Sequence, residues 1–298
     1  MHNKNFIRAI AFILLTILSD ILIGEILERV HKNTDEETSS KMNYIFNSSN
    51  EDIIVIGSSR AENHFISEII KESTGLSCYN AGIGGQGLFF SYIEINEIVK
   101  RYKPKHIILE VSPNVLIDKK SDEKLKILLP YYKKDTLIYN KLFKPNSLEK
   151  IKLISSIYPY NSMIVGFIHA FIKKKIFNKS GFVGLKGNIN PKTIRTYPDS
   201  KISIDWKNLT NISEKCKNNN IDLVVVISPI FKTDPLTEHI IKEIDLFCQK
   251  ANNLRLIDYS NNAKFVNNNE LFYDNLHLNE HGAKLFTKDL INHFFNKK

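Results

Sequence analysis

Apolar and polar positions divide the chain into regions of different character. From Ala9 to Gly24 the run is apolar except for Ser19 and Asp20, and Lys4-Asn5-Phe6-Ile7-Arg8 precedes it. Basic residues ahead of an apolar run describe either a signal peptide or an uncleaved anchor. No small-x-small cleavage site follows, because Gly24-Glu25-Ile26-Leu27-Glu28 runs straight on. An N-terminal membrane anchor over residues 1–32 is therefore the expectation. At ~1.5 Å per residue the run falls short of a ~30 Å hydrocarbon core, so flanking Phe6, Ile7 and Ile26 must contribute. Asp20 inside the run is costly, and an amphipathic helix packed on a folded domain is the rival reading. Lys4 and Arg8 place the N-terminal end in the cytoplasm and the remainder outside. Residues 33–50, rich in Ser, Asn, Glu and Thr, read as a linker.

From residue 51 a regular alternation begins. Asp52–Gly57 reads as a buried strand and Glu62–Ser73 as a helix. A short strand ends at Tyr79-Asn80, Leu88–Tyr102 has helical periodicity, and His106–Val111 is another continuous apolar strand. The alternation resumes with a helix at Ile202–Asn218, a strand at Ile221–Ser228 and a helix at Pro235–Lys250. A strand at Leu254–Asp258 and a helix at Glu280–Phe295 complete it. Strands of near-continuous Val, Ile and Leu alternating with helices predict an α/β domain over 51–298. Its parallel sheet would be covered on both faces, with ligands at the carboxyl ends of the strands. Residues 119–200 break the pattern with Leu128-Leu129-Pro130-Tyr131-Tyr132, an apolar stretch from Ile151 to Phe171, Lys173-Lys174-Lys175 and Gly181-Phe182-Val183-Gly184-Leu185. This region reads as a helical insertion over the active face, a cap or docking surface; contact of its apolar stretch with the membrane is the rival reading, and a soluble helical cap is preferred.

Composition narrows the function classes. A chain of 298 residues with 43% hydrophobic and 24% charged residues buries a full core. The formal charge of +9 comes from scattered lysines with no basic stripe and no aromatic-basic motif, which argues against a nucleic-acid partner. Cys78, Cys216 and Cys248 are odd in number and lack CxxC spacing, so they read as core residues and not as a disulfide scaffold.

The candidate chemistry sits at strand ends and in the last loop. Gly57-Ser58-Ser59 ends the first strand, where a hydroxyl can face a cleft; Gly-Ser-Ser is also ordinary turn chemistry. Asn80-Ala81-Gly82-Ile83-Gly84-Gly85-Gln86-Gly87 ends the second, and its glycines let backbone N–H groups approach a ligand. It is not a dinucleotide fingerprint, which would follow the first strand and be followed by an acid at the end of the next. Glu110-Val111-Ser112-Pro113-Asn114 puts a side-chain amide at the same edge. Asp274-Asn275-Leu276-His277 pairs a carboxylate with an imidazole. His277 and His281 share a helix spacing, but Glu280 is misplaced for His-Glu-x-x-His and no third ligand is evident, so no metal is expected. Arg60 and Gln86 adjoin these stretches and are candidates for touching substrate, with a plain surface role standing equally beside that.

Taken in order, these four stretches resemble the SGNH (GDSL-type) hydrolase superfamily, especially its membrane-anchored branch that acylates bacterial surface polymers. Gly57-Ser58-Ser59 corresponds to the Gly-Asp-Ser block. Because Ser58 stands in place of the Asp, the choice between two adjacent serines stays open, with Ser59 favoured. Asn80-Ala81-Gly82-Ile83-Gly84-Gly85 matches Asn-x-Gly-x-x-Gly, Val111-Ser112-Pro113-Asn114 stands where Gly-x-Asn-Asp is expected, and Asp274-x-x-His277 matches the last block. The third block departs most, lacking the Gly before Asn114 and the Asp after it. The likeness covers roughly Ile53–Asn114 and Ile221–Phe295.

The resemblance implies a three-layer, flavodoxin-like parallel sheet and a serine hydrolase mechanism. Ser59 would be the nucleophile, His277 the base and Asp274 its orienting carboxylate, with Gly85 and Asn114 as oxyanion donors and no cofactor. It further implies an acylated carbohydrate or polyol as substrate, a catalytic domain outside the cell, and a multi-pass membrane acyltransferase as a candidate partner. Hydrolysis and acyl transfer use the same residues. Two rival readings are a lipid esterase and a catalytically silent accessory or glycan-binding protein.

Overall fold

The structure is a computed structural model that describes residues 2–113, 116, 124–143, 149–173, 178–189, 204–251 and 254–295. The chain forms two compact units: Met1–Asn43 with Asp122–Phe177, and Tyr44–Ser121 with Asn178–Lys298.

The second unit carries a five-stranded parallel sheet in the order β2-β1-β3-β4-β5. The strands are β1 (Ile53–Ile56), β2 (Cys78–Asn80), β3 (His106–Glu110), β4 (Asp222–Ile227) and β5 (Leu254–Asp258). β1 is the hinge of the topology, with Ile54 beside Tyr79 on one side and Ile107 on the other. The chain leaves β1 for β2 and then crosses back over β1 to reach β3. Right-handed crossovers therefore put the intervening helices on opposite faces and make the carboxyl ends of β1 and β3 the switch point. β1 is Ile-Ile-Val-Ile with every residue buried, as a strand covered on both faces requires.

One helical layer holds α3 (Ser59–His64), α4 (Ser67–Thr74) and α9 (Glu280–Phe295); in the other, α5 (Leu88–Val99) packs on α7 (Trp206–Asn218). α8 (Pro235–Lys250) lies along β5, and its Phe247 stacks on Trp206 of α7. The helix expected over Glu62–Ser73 is in fact two helices. Phe65 is extended between them, its carbonyl accepting from the Asn80 side-chain amide at 2.7 Å, while Ile66 N–H donates to Thr287 Oγ1 at 3.1 Å. Partners from β2 and α9 thus satisfy the groups that a continuous helix would have paired internally.

The first unit is built on α1 (His2–Asn33), a helix long and apolar enough to cross a membrane. Two 3-10 turns (Leu125–Tyr131 and Tyr158–Met163) and α6 (Ile164–Lys173) pack beside it. They form a small core of Tyr160, Met163 and Phe167 against Leu27 and Ile127. Asp20 is matched here: its two oxygens accept from Ser155 Oγ and from the Ser156 amide, each at 2.6 Å.

Two expectations change. The 33–50 stretch is not a plain linker, because α2 (Glu37–Asn47) forms there with Met42, Ile45 and Phe46 buried. The polar residues alternate with apolar ones at helical spacing, which composition alone conceals. The 119–200 insertion also divides. Its described middle groups with α1, while Asn178–Ile189 belongs to the sheet unit. There it is tied to β2, α3 and α9: Asn80 N–H donates to Ser180 O, Val183 N–H to Glu62 O and Glu280 N–H to Leu185 O.

Candidate active site

Ser59 is placed by the way β1 ends. Gly57 has φ +149°, and a side chain there would meet the Glu110 carbonyl of β3 at 2.7 Å, so only glycine lets the strand turn beside its neighbour. Ser58 follows as a buried extended residue, and Ser59 opens α3. α3 is only six residues long and is held from outside. The fully buried Asn80 donates from Nδ2 to the carbonyls of Ala61 and Phe65, both at 2.7 Å, and accepts from Gly82 N–H at 2.9 Å. One amide at the end of β2 therefore sets both the helix that Ser59 opens and the glycine loop.

His277 comes from a tight loop before α9. Phe272 and Leu278 pair across it as an antiparallel bridge, and Tyr273 N–H donates to the His277 carbonyl at 2.8 Å. Asp274 closes the loop locally, Oδ1 accepting from the Leu276 and His277 amides at 2.8 Å each. Both carboxylate oxygens also stand 2.9 Å from His277 Nδ1. Burial works against the charge on Asp274, but the imidazole and the two amides outweigh it and hold its carboxyl below the ordinary value. An ionised carboxylate only accepts, so Nδ1 carries a proton, and in the neutral ring Nε2 is then the acceptor. Ser59 Oγ lies 2.8 Å from that Nε2, across 218 residues of sequence. The hydroxyl, imidazole and carboxylate form one hydrogen-bonded chain, half-buried and open to solvent on one side.

No protein-family model and no curated protein matches this sequence. Solved structures do show likeness. A protein from Desulfitobacterium hafniense described as lipolytic and of the G-D-S-L family is 10% identical, with 80% of this chain and 97% of that one covered and a TM-score of 0.44. A Streptococcus protein described as a platelet activating factor is 11% identical, with 97% and 99% covered and a TM-score of 0.47. A GDSL-like lipase from Bacteroides thetaiotaomicron is 12% identical, with 82% and 88% covered and a TM-score of 0.39.

Around the hydrogen-bonded chain, the other expected residues fall in different places. Ser58 is distinguished from Ser59 by its partner: its Oγ accepts from Gly85 N–H at 3.0 Å. Gly85 therefore lies beside the serine pair with its amide engaged, and Gly84 N–H donates to Glu62 Oε2 at 3.1 Å. Asn114 lies outside the described residues. Gln86 is buried, with its own N–H donating to the Ile83 carbonyl.

The surface or substrate-contacting role expected for Arg60 is overturned. Only 2% exposed, it turns inward and ties α3 to the ends of β3 and β4. Its Nε is 3.2 Å from Glu110 Oε1, and its guanidinium donates to the Ser228 and Pro229 carbonyls. Burial raises the Glu110 carboxyl above its ordinary value even with this charge beside it. The position one after Ser59 points away from the cleft because α3 rotates successive side chains by about 100°.

Sequence reading missed His64. It is fully buried, and its Nε2 accepts from the Leu278 amide at 2.9 Å, bracing the residue after His277. Burial, then Arg60, then His277 keep it neutral far below the ordinary histidine range. Its only signal in the sequence is a histidine five positions beyond the candidate nucleophile.

Proposed function

We propose that the chain is a membrane-anchored, SGNH-type serine esterase or O-acyltransferase acting on acyl esters of a cell-surface polysaccharide. The observation that carries this reading is the Ser59 Oγ–His277 Nε2 hydrogen bond backed by Asp274. In this reading Ser59 Oγ attacks the acyl carbonyl while its proton passes to His277 Nε2. The tetrahedral oxyanion collapses, and the protonated imidazole gives its proton to the departing alkoxide, leaving acyl-Ser59. His277 then deprotonates water or a sugar hydroxyl, which attacks the acyl group; as the acyl–Oγ bond breaks, the imidazolium returns the proton to Ser59 Oγ. Asp274 keeps the imidazole in the right tautomer and offsets its transient positive charge.

Gly85 is assigned as an oxyanion donor. Its amide must exchange or share its bond to Ser58 Oγ when the oxyanion forms, and Asn114 is assigned as the second donor. Loss of one such donor typically costs about 10²–10³ in turnover. Lys4 and Arg8 at the start of α1 support a cytoplasmic N-terminus and an extracytoplasmic catalytic unit. The excess of positive charge suits an anionic surface polymer, and a multi-pass acyl donor in the same membrane is the partner this chemistry calls for.

The test is labelling by a serine-directed fluorophosphonate. The wild-type chain labels and Ser59→Ala does not, whereas Ser58→Ala keeps the label. A wild-type chain that stays unlabelled makes it a silent scaffold. Rates on p-nitrophenyl esters of increasing chain length then separate acetyl from lipid chemistry.

A further inference from the structure

Apart from those on α1 itself, the described residues of the unit built on α1 leave six large apolar side chains exposed: Ile151, Ile154, Val165, Ile168, Phe171 and Ile172. Ile154, Val165 and Phe171 are 83%, 79% and 87% exposed. Four of the six lie on α6, which already buries Phe167 and Ala170 on its other side. Apart from His169, the exposed face of α6 is apolar up to Lys173; such a surface belongs in a core or in lipid, and this helix has a core on one side only.

How α1 is docked says what covers the other side. Asp20, Gly24 and Leu27 form one stripe at helical spacing. Asp20 takes the donors of Ser155 and Ser156, Gly24 lets Ser156 approach so closely that a Cβ would stand 2.4 Å from it, and Leu27 joins the small core. The 151–156 turn therefore reaches down α1 as far as Asp20.

From Phe6 to Ser19 the helix rises about 20 Å, well short of a ~30 Å hydrocarbon core; from Phe6 to Ile26 it rises about 30 Å. For α1 to span, the Asp20–Ile26 segment has to lie within the apolar layer, and the turn bonded to it goes in as well. Asp20 is tolerable at that depth because both its oxygens are hydrogen-bonded. Exposed Lys150, Lys152 and Lys173 flank the apolar patch, where their long stems can carry the charge to lipid phosphates.

We propose that α6 and the 151–156 turn are a second membrane-contacting element, lying in the outer part of the bilayer beside α1. The six apolar side chains face acyl chains, and the three lysines face anionic headgroups. This inference rests on α1 being a membrane anchor and is independent of whether Ser59 is a nucleophile.

Tryptophan depth measurement on the full chain tests it. In a Trp206→Phe background, Phe171→Trp, Ile154→Trp and Ile17→Trp are each reconstituted into phosphatidylcholine–phosphatidylglycerol vesicles with acyl-brominated lipid. The expected result is blue-shifted emission and bromolipid quenching at all three positions, with little quenching by aqueous acrylamide. Quenching by bromolipid at position 17, with acrylamide reaching positions 154 and 171, overturns the inference and leaves the anchor standing. A patch covered by a protein partner in the cell would give that result. Absence of bromolipid quenching at all three positions overturns the anchor and the inference together.

Discussion

At the scale of single residues, His64 is a buried group that braces the loop carrying His277. Its Nε2 is the acceptor for the Leu278 amide, and the ring stands edge-on to His277 with centroids 6.1 Å apart. Replacing it with Phe leaves a buried N–H without a partner, which costs about 1–3 kcal/mol. His64→Gln, which restores an oxygen acceptor, is expected to recover part of that in urea denaturation. The pH dependence has a definite sign. Unfolded His64 binds a proton below about 6.5, whereas the folded state holds it neutral far lower, so the unfolded chain takes up more protons as pH falls. Its contribution is present in full above about 6.5 and is lost progressively toward the folded-state value, by up to ~1.4 kcal/mol per pH unit. Denaturation midpoints at pH 7 and pH 5.5 should diverge less in His64→Phe than in the wild type; equal divergence would remove His64 as the source.

At the scale of elements, α3 is too short to hold its own shape, since helices of one or two turns are marginal in water. Asn80 supplies from β2 what the helix lacks, and Arg60 ties the same turn to β3 and β4. Asn80→Ala is therefore expected to cost a few kcal/mol in stability, because it orphans two buried carbonyls and the Gly82 amide. It should also lower fluorophosphonate labelling of Ser59 in the fraction that stays folded. Labelling at the wild-type rate in folded Asn80→Ala would show that α3 keeps its position unaided. The asparagine that opens the second sequence block is thus a structural clamp, and the glycines after it accept the close approach the clamp produces: a Cβ on Gly82 would lie 2.4 Å from the Glu62 amide.

At the scale of the whole molecule, the chain is two units with different surfaces. One is a sheet sandwiched by helices with Ser59 just beyond β1 at the switch point, and the other is a long apolar helix with a small apolar collar. The charge ahead of α1 predicts a single orientation. Protease added to the outside of intact cells should degrade the sheet unit and leave an epitope at the N-terminus protected, and the reverse pattern would invert the topology. Reversing the charge with Lys4→Glu and Arg8→Glu should produce a mixed population by the same assay.

Much of this was legible in the chain itself. Short apolar runs such as Ile53–Ile56, alternating with helical patterns, point to strands covered on both faces, and Pro235–Lys250 declares its helix by period and by Asp234 and Pro235 at its start. The Asp274–His277 pair was readable too, because three residues of tight loop close its geometry locally. What required the tertiary structure is everything set by contacts between distant segments: the meeting of Ser59 with His277, the inward turn of Arg60 onto Glu110, the neutral brace at His64, and the pairing of Asp20 with Ser155 and Ser156. Local pattern encodes which side of an element is apolar, but the partner that a polar group finds across the fold depends on how the elements pack.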